Sequence, residues 1–220
     1  MRIYLQPTDY FDYQHPAVMA MSDALVLEHM TDVEKAVALY YGVRDDIKYN
    51  PYTFKANSKS LRASDCLNEG QSYCIPKAVL LGALARLNGI PARLGLADVK
   101  NHLSSQALVD WLRSDIFVMH GYIELYLDGQ WVKATPAFDK KLCEKMDVLP
   151  LEFNGKDDSV FHEFNGEGDR HMEYMAEHGT FEDVPFDFIV RSVISAYPHL
   201  ADIKLQEAKK GHSLEKDVGG

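Results

Sequence analysis

At 220 residues the chain is long enough to bury one hydrophobic core without disulfide or metal staples. Hydrophobic residues make up 46% and charged residues 25%, ordinary globular proportions. The net charge of −10 repels phosphate backbones, which counts against nucleic acid or an anionic membrane as the main partner. Three cysteines, Cys66, Cys74 and Cys143, form no CxxC pair, a pattern that suits reduced thiols in a cytoplasmic setting. The opening MRIYLQPTDYFDYQ lacks the apolar core of a signal peptide, and no stretch reaches the ~18 apolar residues of a spanning helix.

In chain order, residues 1–15 read as an edge strand and loop, and 17–29 as a helix. TDVE at Thr31 matches a capping box and opens a helix to about Asp46. ASDCLNE (63–69) reads as a short helix, and a central helix spans 73–88, closed by Asn88-Gly89 and followed by Pro91. IPARLGLAD (90–98) reads as a strand, with a short helix near 105–113. FVMHGYIELYLDGQWVKATPAF is a β-hairpin about Asp128-Gly129, a strong type I′ turn signal. Residues 154–183 are expected to be irregular, 186–197 to be a strand or a helix, and the tail 206–220 to be frayed. The fold class is α+β in a single domain over residues 1–205, with helices first and then an antiparallel sheet.

GQSYCIPKA places Cys74 in the first turn of the central helix, and Pro76 fits a first turn but not a later one. Free N–H groups and the macrodipole at a helix N-terminus favour a thiolate and offer donors to an oxyanion. The plainer reading is a small core cysteine, and Cys66 and Cys143 read as packing or surface residues.

A nucleophilic thiol needs a base, and His120 is the candidate. Alternation puts Val118, His120, Tyr122, Glu124 and Tyr126 on a polar face and Phe117, Met119, Ile123, Leu125 and Leu127 on the core face. With a two-residue turn, His120 faces Ala137, and its same-face diagonal neighbours are Thr135 and Asp139. Only Asp139 offers a carboxylate, although Pro136 can bend the strand.

RASDCLNEGQSYCIPKAVLLGALARLNGIPARLGL resembles the core of the transglutaminase-like superfamily of cysteine enzymes, where a Cys opens a helix ending in a GIPAR-type turn into a strand. HGYIELYLDGQWVKATPAF resembles its histidine strand and Trp-containing partner strand, and the likeness covers about residues 5–139. It implies a papain-like α+β core and a Cys-His-Asp triad, with Cys74 and His120 on the first two positions. The family's D-P-T ending falls on Thr135, a departure that leaves Asp139 as the preferred third member and Thr135 as the alternative. The implied chemistry is hydrolysis or acyl transfer of peptide-type or glutamine amides through a Cys74 thioester, on a peptide or protein substrate and without a cofactor. The backbone N–H of Cys74 and the residue Gln71 are the oxyanion candidates.

Competing readings are a non-catalytic peptide-binding module and an arylamine-acyltransferase-like enzyme, although the chain has no Gly-rich or basic cluster for nucleotide phosphates. A metal set of His162, Glu163, His171, Glu173 and His178 has histidine spacings of 9 and 7, which match neither HExxH nor a zinc finger.

Overall fold

The computed structural model describes residues 1–101, 105–160, 172–202 and 211–218. Helices α1 (Pro16–Leu25), α2 (Asp32–Asp46) and α3 (Ala63–Glu69) surround a central helix α4 (Cys74–Leu87). Every residue of α4 from Cys74 to Arg86 is buried, as befits a helix that is apolar nearly all round. It packs on a four-stranded antiparallel sheet of order β5-β4-β3-β6, made of β3 (Ala92–Asn101), β4 (Ile116–Leu127), β5 (Gln130–Ala134) and β6 (Met172–Phe181). A two-residue parallel pair, β1 (Lys48–Tyr49) and β2 (Gln71–Ser72), fixes the run-in to Cys74.

The α2 capping box forms, with Glu34 accepting the Thr31 N–H at 2.8 Å and Thr31 Oγ1 accepting the Glu34 N–H at 3.3 Å. At the other end of α2, the fully buried Lys77 of α4 donates to the carbonyls of Arg44, at 2.9 Å, and Ile47. Burial lowers the Lys77 pKa to about 8, opposed chiefly by the nearby Asp139.

The hairpin keeps the expected register from Leu127↔Gln130 to Ile123↔Ala134, and Asp128 (φ 48°) and Gly129 (φ 88°) both take the left-handed conformation of a type I′ turn. Pairing stops there. Ala134 bridges Ser159 in parallel instead, and the Thr135 N–H donates to the Ser159 carbonyl at 2.8 Å. The chain therefore leaves β4 before reaching the level of His120 and enters helix α6 (Lys140–Met146).

Several expectations are corrected. The first residues form a 3-10 helix, Arg2–Leu5, rather than a strand, and α1 stops at Leu25 because Val26 is extended. Part of the stretch expected to be irregular is β6, which pairs with β3. Residues 186–197 resolve into α7 (Phe186–Ala196), whose Ile189 and Val193 share one buried face four residues apart. α5 (Gln106–Leu112) matches its expected place. The tail is not loose at 211–218: α8 (Leu214–Asp217) buries Leu214, and Asn50 Nδ2 donates to the His212 carbonyl at 2.8 Å.

Candidate active site

Cys74 is the first residue of α4, and the N-cap residue Tyr73 supplies no side-chain cap. Pro76 has no N–H, and the Lys77 N–H already donates to the Tyr73 carbonyl at 3.2 Å. That leaves the N–H groups of Cys74 and Ile75, which act to stabilise a thiolate at Cys74. A third donor is the backbone N–H of Gly121, on β4. All three favour the thiolate, but the cysteine is only 8% exposed, and burial outweighs them to push the thiol up to about 11. The expected depression by the helix N-terminus is thus overturned by enclosure. Cys66 and Cys143 are buried packing residues, with thiols raised further, to about 12.

His120 pairs with Ala97 across β3–β4 and is 6% exposed. Its Nε2 is buried with no hydrogen-bond partner among the described residues, and burial lowers its pKa to about 4. Cys74 and His120 line one cavity of about 70 Å³, walled mainly by Tyr49, Tyr73, Trp111, Leu112 and Tyr197. Among the described residues, no lysine, arginine, aspartate or glutamate lines it. Trp111, in the segment preceding β4, is a wall of this cavity. The Tyr73 hydroxyl and Trp111 Nε1 are, like His120 Nε2, buried without partners among the described residues. Three polar groups without partners thus belong to residues that line one largely apolar cavity.

Strict alternation fails at this point of β4, because Phe117, Val118, Met119 and His120 all line the cavity. The β3–β4 register shifts between Ala97 and Val99, and Met119 takes φ 58°, which breaks the two-residue period.

Asp139 does not reach His120. Its Oδ1 accepts the Leu142 N–H at 3.0 Å as the N-cap of α6, and its Oδ2 accepts the Tyr49 N–H at 2.9 Å. Extrapolating the hairpin put it beside His120, but the turn toward Ser159 carries it away. Thr135 Oγ1 is buried without a partner among the described residues, and no hydrogen bond joins it to His120. Gln71 is not on the cavity wall, and its Oε1 accepts from Asn50 Nδ2 at 3.1 Å.

Of the histidine and glutamate set weighed as metal ligands, His162, Glu163 and His171 lie outside the described residues, as does His102. Among the described residues no cluster of three or more His, Cys, Asp or Glu could hold a metal, and no helix is long and apolar enough to cross a membrane.

Sequence reasoning missed Gly121. A Cβ there would lie 2.8 Å from Ile75 Cα, so only glycine lets β4 approach the start of α4 closely enough to present its N–H to the sulfur. A glycine inside a strand, directly after the candidate base, was the available signal.

Residues 20–136 match the model of the transglutaminase-like superfamily. Among solved structures, the chain is similar to a protein from Cytophaga hutchinsonii provisionally named a cysteine protease, with 18% identity and a TM-score of 0.45. The match covers 81% of this chain and 53% of that one, so the chain spans about half the length of that structure. No curated protein matches the chain.

Proposed function

The chain belongs to the transglutaminase-like superfamily, and from that premise we propose that it is a cysteine-nucleophile amide hydrolase or acyltransferase acting on peptide-type or glutamine amides. The observation that carries this reading is that Cys74 and His120 line one cavity, at the N-terminus of α4 where backbone N–H groups favour the thiolate. With a thiol near 11 and an imidazole near 4, the resting pair is neutral at physiological pH. Proton transfer then accompanies attack instead of preceding it.

In this mechanism the Cys74 sulfur bonds to the carbonyl carbon while His120 takes the thiol proton. The oxyanion draws on the N–H groups at the start of α4, each such donor being worth ~3 kcal/mol of barrier. As the tetrahedral intermediate collapses, the C–N bond breaks and His120 returns the proton to the leaving amine. Water or an amine then attacks the thioester and frees the thiol. The Tyr73 and Trp111 donors are suited to polar groups of the substrate backbone within an otherwise apolar wall.

The test is acylation of the intact protein by N-acetyl amino-acid p-nitrophenyl esters and peptide anilides, followed by intact mass and product release. A thioester adduct that disappears in Cys74→Ala, and whose formation slows in His120→Ala, supports the proposal. Turnover of the wild type no faster than that of Cys74→Ala would overturn it. The second reading, a peptide-binding module, draws on the absence of any carboxylate bonded to His120 among the described residues. It predicts peptide affinity that Cys74→Ala leaves intact, with no adduct.

A further inference from the structure

β3 bulges against both of its neighbours at one place. Its register with β4 shifts between Ala97 and Val99, and its register with β6 shifts on either side of the Ala97–Asp98 pair. Asp98 lies at the centre of these irregularities, and its Oδ1 accepts the Met119 N–H at 2.9 Å. Met119 is one of only four non-glycine residues with positive φ among the described residues, and it immediately precedes His120. The other three, Arg113, Asp128 and Asp147, are two helix C-caps and a hairpin turn, where left-handed backbone is expected. Met119 has no such local reason, lying inside a strand with an unbranched side chain that gains nothing from φ 58°.

A backbone held in a disfavoured region needs its surroundings to hold it. Two contacts do so here. The Tyr197 hydroxyl accepts the Val118 N–H at 3.0 Å and donates to the Ile116 carbonyl at 2.5 Å, standing in for a strand partner. From the other side Asp98 holds the Met119 N–H, and His178 Nε2 lies 2.8 Å from the same Oδ1. The His178 ring packs edge-on against Phe188 of α7 at 5.8 Å, so the carboxylate is itself fixed in place.

We propose that Asp98 is a positioning residue for His120, acting through the left-handed backbone of Met119. The carboxylate makes φ 58° tolerable at Met119, and that conformation is what brings four consecutive residues, ending in His120, onto the cavity wall with Cys74. Strand bulges beside reactive groups re-aim side chains in this way. The role rests on the assignment of His120 as the base of Cys74.

The experiment is the rate of Cys74 alkylation by iodoacetamide against pH, with melting temperature recorded for each variant. In the wild type the rate near neutral pH depends on His120 and falls in His120→Ala. In Asp98→Ala it falls about 10²-fold near neutral pH. Above the thiol pKa of about 11, where the sulfur ionises without a base, the same variant matches the wild type. Asp98→Asn keeps the acceptor for the Met119 N–H and stays within about threefold. Asp98→Ala/Met119→Gly recovers to the same level, because glycine takes φ 58° unaided. The double variant carries the test if Asp98→Ala alone does not fold.

An Asp98→Ala profile superimposable on the wild type, or a folded double variant as slow as Asp98→Ala, overturns the role of Asp98. If His120→Ala leaves the wild-type rate unchanged, it is the catalytic pair itself that fails, whatever the Asp98 variants do.

Discussion

The backbone of Gly121 packs on Ile75 at the start of α4, across a contact that admits no side chain, and its N–H favours the Cys74 thiolate. A methyl group at residue 121 would meet Ile75 Cα at 2.8 Å, and that atom belongs to the helix backbone and cannot swing aside. Gly121→Ala is therefore expected to push β4 off the start of α4. The expected cost is about 1–3 kcal/mol of stability and about 10²-fold in single-turnover acylation. Urea unfolding and p-nitrophenyl ester acylation measure the two effects separately.

Asp139 serves two backbone donors and no imidazole. In Asp139→Asn the amide oxygen still caps α6, but the amide nitrogen meets the Tyr49 N–H, donor against donor. The expected loss is about 1–3 kcal/mol, and the pH profile of Cys74 alkylation keeps its wild-type shape. A displaced profile at unchanged stability would place Asp139 in the proton relay after all.

His120 is buried in its neutral form, so its folded pKa of about 4 lies below the usual 6.5. Between those values the unfolded chain binds the proton more readily, and stability falls as pH drops through the window. The slope contributed approaches about 1.4 kcal/mol per pH unit. Replacing His120 with Gln removes this contribution, and comparing the two melting curves from neutral pH down to about 4 reveals it.

Lys77 satisfies the last carbonyls of α2 from inside the core. Lys77→Met fills the same space without donors, leaving buried carbonyls unpaired at an expected cost of about 1–3 kcal/mol. Lys77→Ala adds a cavity and should cost more. The folded pKa of about 8 lies below the usual 10.5 of lysine, so the wild type gains stability as pH rises between them. Neither variant should keep that gain, as alkaline denaturant titrations would show.

Among the described residues, the cavity wall carries no charged side chain. Chloromethyl ketones with an apolar residue such as Leu or Phe next to the reactive carbon are therefore expected to inactivate Cys74 faster than an Asp analogue, by about tenfold or more. Val193→Glu, which puts a carboxylate on the wall, should reduce that preference.

The patterns legible in the sequence are those decided within a few residues. The Thr31–Glu34 box, the N-terminal cysteine of α4 and the Asp128-Gly129 register are of this kind, because capping and turn geometry are local. The path after Ala134 was not legible, since it depends on Ser159 for pairing and on Tyr49 as the partner of Asp139. The ionisation of Cys74 escaped for the same reason. Its enclosing walls include Trp111, Tyr197 and Leu200, far along the chain, and nothing near residue 74 announces them.

The clasp between Tyr52 and Asp217 spans 165 residues, and with Asn50–His212 and Lys145–Glu215 it ties the last described segment beside β1. On the ribosome these groups emerge after everything they hold. A nascent chain that has completed α4 but not α7 lacks the Val193, Tyr197 and Leu200 side of the cavity, so its Cys74 thiol meets solvent and ionises as an ordinary cysteine. The masked, high-pKa thiol is therefore a property acquired only once residues 193–200 have closed over the start of α4.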